Sequence, residues 1–199
     1  MPPVLTSPKR TTATILKWTV ADFHRVGATG AFDGRRPVLL QGVLWEQGMM
    51  NPPHANCVLL ATDALRAAFG PNWTLRIQLP LVLSLDSDPL PDFAVVPGTV
   101  RANVGASHPK TAALVVEVSD TTFDIDVTIK AELYATAGIA DYWVVDVENR
   151  LLLVFRDPAP LPAGLGATAY QTRLTLAETD TVAPLALPSA IVRVADLLP

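Results

Sequence analysis

The sequence predicts an α/β chain in which helices flank a central mixed β-sheet, and three observations carry that prediction. Val58, Leu60, Ala61, Ala64, Leu65, Ala68 and Phe69 recur at helical spacing. Trp73, Leu75, Ile77 and Leu79 instead alternate with polar residues, the period of a half-buried strand. AALVVEV, residues 112–118, is an almost unbroken apolar run, as expected of a central strand covered on both faces. Helical and strand patterns interleave along the chain, and a sheet with helices against its faces accommodates that order.

The elements follow in order. Residues 1–13 lack periodicity and read as a flexible arm, leaving 14–199 as a single domain. Thr19 opens a helix in a capping box with Asp22 where Glu is usual, and the helix closes near Gly27 or Gly30. Residues 37–46 have the β-rich content of a strand interrupted at Gly42, where a bulge or tight turn is expected. Pro52 and Pro53 start the second helix, which GPN at 70–72 stops. After the strand at Trp73 come a turn at 86–89, a short strand at 91–96 and an aperiodic loop at 97–111. Beyond the apolar run, 124–137 reads as a helix with Ile125, Ile129, Leu133 and Ala137 on one face, closed by Gly138. DYWVVDV and LLLVFRD are two strands joined at 148–150, and weaker strands such as YQTRLTL and AIVRV lie among Pro-rich loops after 158.

Composition removes several classes of protein. The chain has 199 residues, 50% hydrophobic and only 17% charged, against about 25% charged in an ordinary soluble domain. That excludes disorder of the bulk and suggests that some apolar surface covers a subunit contact. No apolar run approaches a membrane span, no signal peptide is recognisable, and the single Cys57 builds neither a disulfide framework nor a cysteine-based zinc site. A cytoplasmic protein is expected. The net charge of −4 argues against coating nucleic acid by bulk electrostatics, yet residues 1–36 carry +4 and the remainder −8. A basic head precedes an acidic body.

The candidate chemistry lies in three residues. Glu117 is a carboxylate inside the apolar strand, sharing a face with Ala113, Val115 and Ser119. A buried carboxylate must be paired, protonated or bound to a cation. Asp92 starts a neighbouring strand; alone it reads as a turn aspartate, but two carboxylates at adjacent strand ends can share a hard cation such as Mg²⁺. Lys130 lies between Asp126 and Tyr134 in a polar stripe of residues four apart. The spacing equally describes a surface ion pair between Asp126 and Lys130, unless the stripe faces the sheet edge and brings the ammonium to the two carboxylates.

Pro91-Asp92, Glu117-Val118-Ser119, Lys130 with Tyr134-Ala135, Gly138-Ile139 and the block DYWVVD at 141–146 together resemble the Uma-two family, also called domain of unknown function 820. The resemblance runs from the helix at Thr19 to the closing VADLLP. It implies a restriction-endonuclease-like core of the PD-(D/E)XK superfamily and a metal-dependent DNA endonuclease using Mg²⁺ or Mn²⁺. It implies that Asp92 and Glu117 are metal ligands and that Lys130, from the helix, replaces the lysine usually two residues after the glutamate, where this chain has Ser119. His54 matches a histidine at the start of the family's second helix, with a phosphate contact or a helix cap as its alternative roles. Many similar members carry Glu four residues before the glycine corresponding to Gly42; here that residue is Val38, and Glu46, read as sharing strand parity with Val38, is the candidate substitute. Gln41 stands where an acidic or amide residue is common. Pairing of such nucleases, with the apolar excess, suggests a homodimer. Loss of the early Glu motivates the alternative, a nuclease-fold binding or oligomeric module without competent metal chemistry. A two-carboxylate glycosidase ranks last, because Lys130 and the basic head have no role in it.

Overall fold

The structure, a computed structural model, describes residues 14–105, 107–160 and 168–199. The expected arm at 1–13, with Lys9 and Arg10, lies outside the described residues.

Helix α1 (Val20–Gly27) begins where extended Thr19 accepts the Asp22 N–H at 3.1 Å while its hydroxyl donates to the Asp22 carboxylate at 2.7 Å. The Asp22 box therefore caps the helix as its sequence suggests. Next, of the bulge or tight turn expected at Gly42 the structure has the tight turn, which divides 37–46 into a hairpin of β1 (Pro37–Leu40) and β2 (Val43–Glu46). Gln41 and Gly42 form its two-residue turn with φ of 50° and 77°, the left-handed pair that a type I′ hairpin requires. This overturns the parity expected for Glu46. Val38 pairs with Trp45, and Glu46 pairs with Pro37 on the opposite face.

Helix α2 (Pro52–Phe69) is capped by Asn51, whose side chain accepts the His54 N–H at 3.0 Å, and it stops at Gly70 with φ 68°. Cys57, Ala61, Leu65 and Phe69 recur every four residues and are buried. They lie against one face of a six-stranded sheet ordered β3 (Trp73–Ile77), β4 (Phe93–Pro97), β5 (Leu114–Ser119), β6 (Asp141–Asp146), β7 (Leu151–Pro160), β8 (Thr168–Ala177). Neighbours are antiparallel except β5 and β6, which run parallel. A parallel pair needs a crossover, supplied by α3 (Phe123–Ile125), a π-helical turn (Asp126–Lys130) and α4 (Ala131–Thr136). The uniform helix expected at 124–137 is thus broken by a wider turn, a form that recurs at functional sites.

Both faces of the sheet are covered. Leu114, Val116 and Val118 of β5 meet α2 and the C-terminal residues Val194, Leu197 and Leu198, while Val115 meets Ala131 and Tyr134. That double burial explains the unbroken apolar run. The C-terminal part adds a small hairpin, β9 (Thr181–Val182) with β10 (Val192–Arg193). Strand β7 outlasts β6: Asp141 pairs with Arg156, and beyond it Pro158 pairs only with Tyr170 of β8. A proline, lacking an N–H, is tolerated where one side of the strand is free.

Candidate active site

Strand register assembles the site. Phe93 opposes Val116, and Ile77 opposes Phe93; one residue further, Gln78, Asp92 and Glu117 come into line at the same end of three adjacent strands. Pairing between β4 and β5 ends there. The Val118 N–H is released from that ladder and donates to Asp92 Oδ2 at 2.8 Å. Gln78 Nε2 donates to Asp92 Oδ1 at 3.1 Å, so both carboxylate oxygens are engaged.

The helices close the site from both sides of the sheet. From the crossover, Lys130 places its ammonium 3.0 Å from Glu117 Oε2 and 2.8 Å from Asp126 Oδ1. Asp126 is fully buried and takes the Thr122 hydroxyl at 2.6 Å, while the Tyr134 hydroxyl donates to Glu117 Oε1 at 2.7 Å. The stripe of Asp126, Lys130 and Tyr134 therefore faces inward, and the surface ion pair permitted by the spacing is in fact a buried clamp. From α2, the imidazole of His54 reaches Asp92 with Nε2 3.3 Å from Oδ2. Its Nδ1 is buried and has no partner among the described residues.

Burial and pairing set the protonation of these groups. Burial pushes Glu117 up to about 7, against the opposing pull of Lys130. For Asp92 burial also acts upward, but hydrogen bonds from His54, Val118 and Gln78 outweigh it and hold the carboxyl below the usual range. The hydrogen bond to Asp92 raises His54. Burial works to lower Lys130, and the carboxylates of Glu117 and Asp126 reverse it, keeping the ammonium charged well above neutrality. The site holds one firm carboxylate, one titrating near neutrality and one permanent cation.

Asp92, Glu117, Lys130 and His54, all expected from sequence, line one pocket; Glu46 lines it too. Glu46 is at the rim with its carboxylate bound to Arg35 at 2.5 Å, both side chains exposed. Asp146 stays apart from the pocket and accepts the backbone and side-chain N–H groups of Asn149 in the turn after β6. Gln78 escaped the sequence reading, because on an alternating strand it reads as an outward polar residue. Its φ of 50° turns the chain out of that alternation. Among the described residues, no group of three or more His, Cys, Asp or Glu side chains is arranged to hold a metal ion. Asp92 and Glu117 lie at adjacent strand ends, the Asp92 backbone N 3.4 Å from Glu117 Oε2, and their all-oxygen side chains are the donor type a hard cation takes together with waters.

The family model Uma2, described as "Putative restriction endonuclease", matches residues 20–195. The chain belongs to the Uma2 family. The match runs from the start of α1 to just past β10. Among solved structures, Uma2 resemblance extends to the crystal structure of "a putative nuclease belonging to DUF820" from Anabaena variabilis, with 13% identity and a TM-score of 0.63. That alignment covers 90% of this chain and 97% of the other, so the two share a fold over almost their whole length. No curated protein matches this Uma2 chain. No helix among the described residues is long and apolar enough to cross a membrane.

Proposed function

We propose that this Uma2 protein is a metal-dependent DNA endonuclease of the PD-(D/E)XK type, acting in the cytoplasm as a homodimer. The observation that carries the reading is the convergence of Asp92, Glu117 and Lys130, from two strand ends and a crossover helix, in one pocket. Asp92 and Glu117 would hold Mg²⁺ or Mn²⁺. When bound, the cation supplies Lewis-acid polarisation of the phosphate and a more acidic water.

The chain's own residues do the rest. Asp92 is kept ionised by its N–H donors and is therefore ready to ligate. Glu117, buried beside the Lys130 ammonium, would be the second carboxylate ligand and would hold the cation in its ionised form. Lys130 provides a fixed ammonium at the position where negative charge develops on the phosphate, and Asp126 with Thr122 prevents that side chain from swinging away. His54 backs Asp92 from α2 and fixes the direction of its carboxylate.

Plasmid nicking in Mg²⁺ and in Mn²⁺ tests the reading. Wild type is expected to nick, Asp92→Ala, Glu117→Ala and Lys130→Ala to be inactive, and Asp126→Asn to lose roughly 10²-fold, the scale seen when a transition-state donor is misplaced. Wild type without activity on any DNA, or variants as active as wild type, would sink it. One observation favours a second reading, a nuclease-fold module that binds without cleaving: buried, apolar Val38 lines the pocket at the position where the family resemblance implies an acid. Calorimetric Mn²⁺ binding abolished by Glu117→Ala would count against that module.

A further inference from the structure

The register that assembles the site also sets a cation beside it. Arg76 opposes Ala94, and Ala94 opposes Val115, so the three share the sheet face against which the crossover packs. Two residues nearer the site, the same face presents Gln78, Asp92 and Glu117. At about 3.3 Å per residue and about 4.8 Å between strands, the Arg76 backbone lies about 8 Å from that of Asp92.

No acid answers this charge. Arg76 is half-buried on β3, the outermost strand of the sheet. Its Nη2 donates to the Pro80 carbonyl at 3.1 Å and lies 3.3 Å from His108 Nδ1. Its Nε is buried without a partner, and among the described residues no carboxylate pairs with the guanidinium. Burial lowers its pKa with no carboxylate acting against the shift. Arg156, half-buried too, is instead held by the Asp141 carboxylate at 2.8 Å. Nearby, the Pro109 carbonyl accepts the Val82 N–H at 3.0 Å, which holds the loop carrying His108 and Lys110 against the chain after β3. Both of those side chains are exposed. A guanidinium drawn out of water with no counter-charge is costly, and phosphate is an anion that its planar fork fits.

Resting on the nuclease reading, we propose that the DNA backbone leaves the site over the β3 edge and that Arg76 takes a phosphate about two nucleotide steps, at about 3.4 Å each, from the one cut. The pocket itself stays free for the scissile phosphate and its cation. A phosphate contact positions the strand and reads no base, so binding through Arg76 is indifferent to sequence.

The test is fluorescence anisotropy of the metal-free protein on two DNA duplexes of unrelated sequence, between about 50 and 200 mM salt. Each phosphate contact contributes about 0.9 to the slope of log K against log salt. Arg76→Gln is therefore expected to flatten that slope by about one on both duplexes and to bind about tenfold more weakly, whereas Arg76→Lys keeps the slope. His108→Asp sets the missing counter-charge beside the guanidinium from an exposed position, and it should flatten the slope equally even if Arg76→Gln unfolds. Arg173→Gln makes the same change of charge on β8, at the opposite edge of the sheet, and should leave the slope alone. An unchanged slope in His108→Asp or in folded Arg76→Gln, an equal change in Arg173→Gln, or a wild type that binds neither duplex overturns the inference. Plasmid nicking in Mn²⁺ is read separately. Nicking by wild type with unchanged slopes in the variants keeps the nuclease reading alone, and the expected slopes without nicking keep the backbone contact alone.

Discussion

Glu117 concentrates the chemistry of this protein in one titration. Its folded-state value of about 7 lies above the ordinary 4.5, so between those limits the folded chain holds a proton that the unfolded chain has released. Stability from this group therefore falls as pH rises through that window and is level on either side of it. Gln cannot ionise. In metal-free buffer, Glu117→Gln is expected to gain stability relative to wild type from pH about 4.5 to pH about 7, measured by urea unfolding. A difference that does not change with pH would remove burial as the controlling influence. At this scale much was legible: a carboxylate in an apolar strand announced itself, and the spacing of Asp126, Lys130 and Tyr134 announced a stripe. Which way the stripe faced was not legible, because four-residue spacing is the same for a solvated face and a buried one.

At the scale of elements, the β1–β2 hairpin decides the shape of the pocket. Its turn needs left-handed backbone at both central residues, and at Gly42 a Cβ would come within 2.7 Å of the Lys17 Cβ. The Trp18 N–H donates to the Gly42 carbonyl at 2.9 Å, so the chain before α1 passes directly over the turn. Gly42→Ala is expected to cost about 1–2 kcal/mol from φ alone, with the close approach to Lys17 adding to it. Gly138→Ala is the control, since it has φ of 75° but nothing within 4 Å of the added carbon. Equal melting temperatures for the two variants would show that Lys17 does not press on the turn. The β content of 37–46 was visible in sequence, but one bulged strand and a tight hairpin share that content. The choice between them reversed the face of Glu46.

For the whole molecule, the two covered faces of the sheet and the large apolar fraction raise the question of what lies outside. Ile15, Leu16 and Leu85 are more than four-fifths exposed, at 86%, 89% and 86%. Backbone bonds from Trp18 to Gly42, from Gly42 to Asp86 and from Val20 to Leu85 bring their segments together. Exposed apolar side chains in one neighbourhood support the proposed homodimer. Sedimentation is expected to give a dimer for wild type and a monomer for Leu85→Glu, and wild type sedimenting only as monomer removes the proposal. By itself the sequence determined the fold class, the central position of β5, most helix boundaries and the presence of a carboxylate, Glu117, inside an apolar strand, because periodicity, caps and a misplaced charge are local signals; Asp92 and Lys130 became candidates beside it through the family resemblance. Tertiary structure alone decided that Gln78 joins Asp92 and Glu117 across three strands, that a π-helical turn aims Lys130 inward, and that the hairpin walls a cavity above them. Those outcomes depend on register and on which faces meet, and both are settled only when distant segments pack.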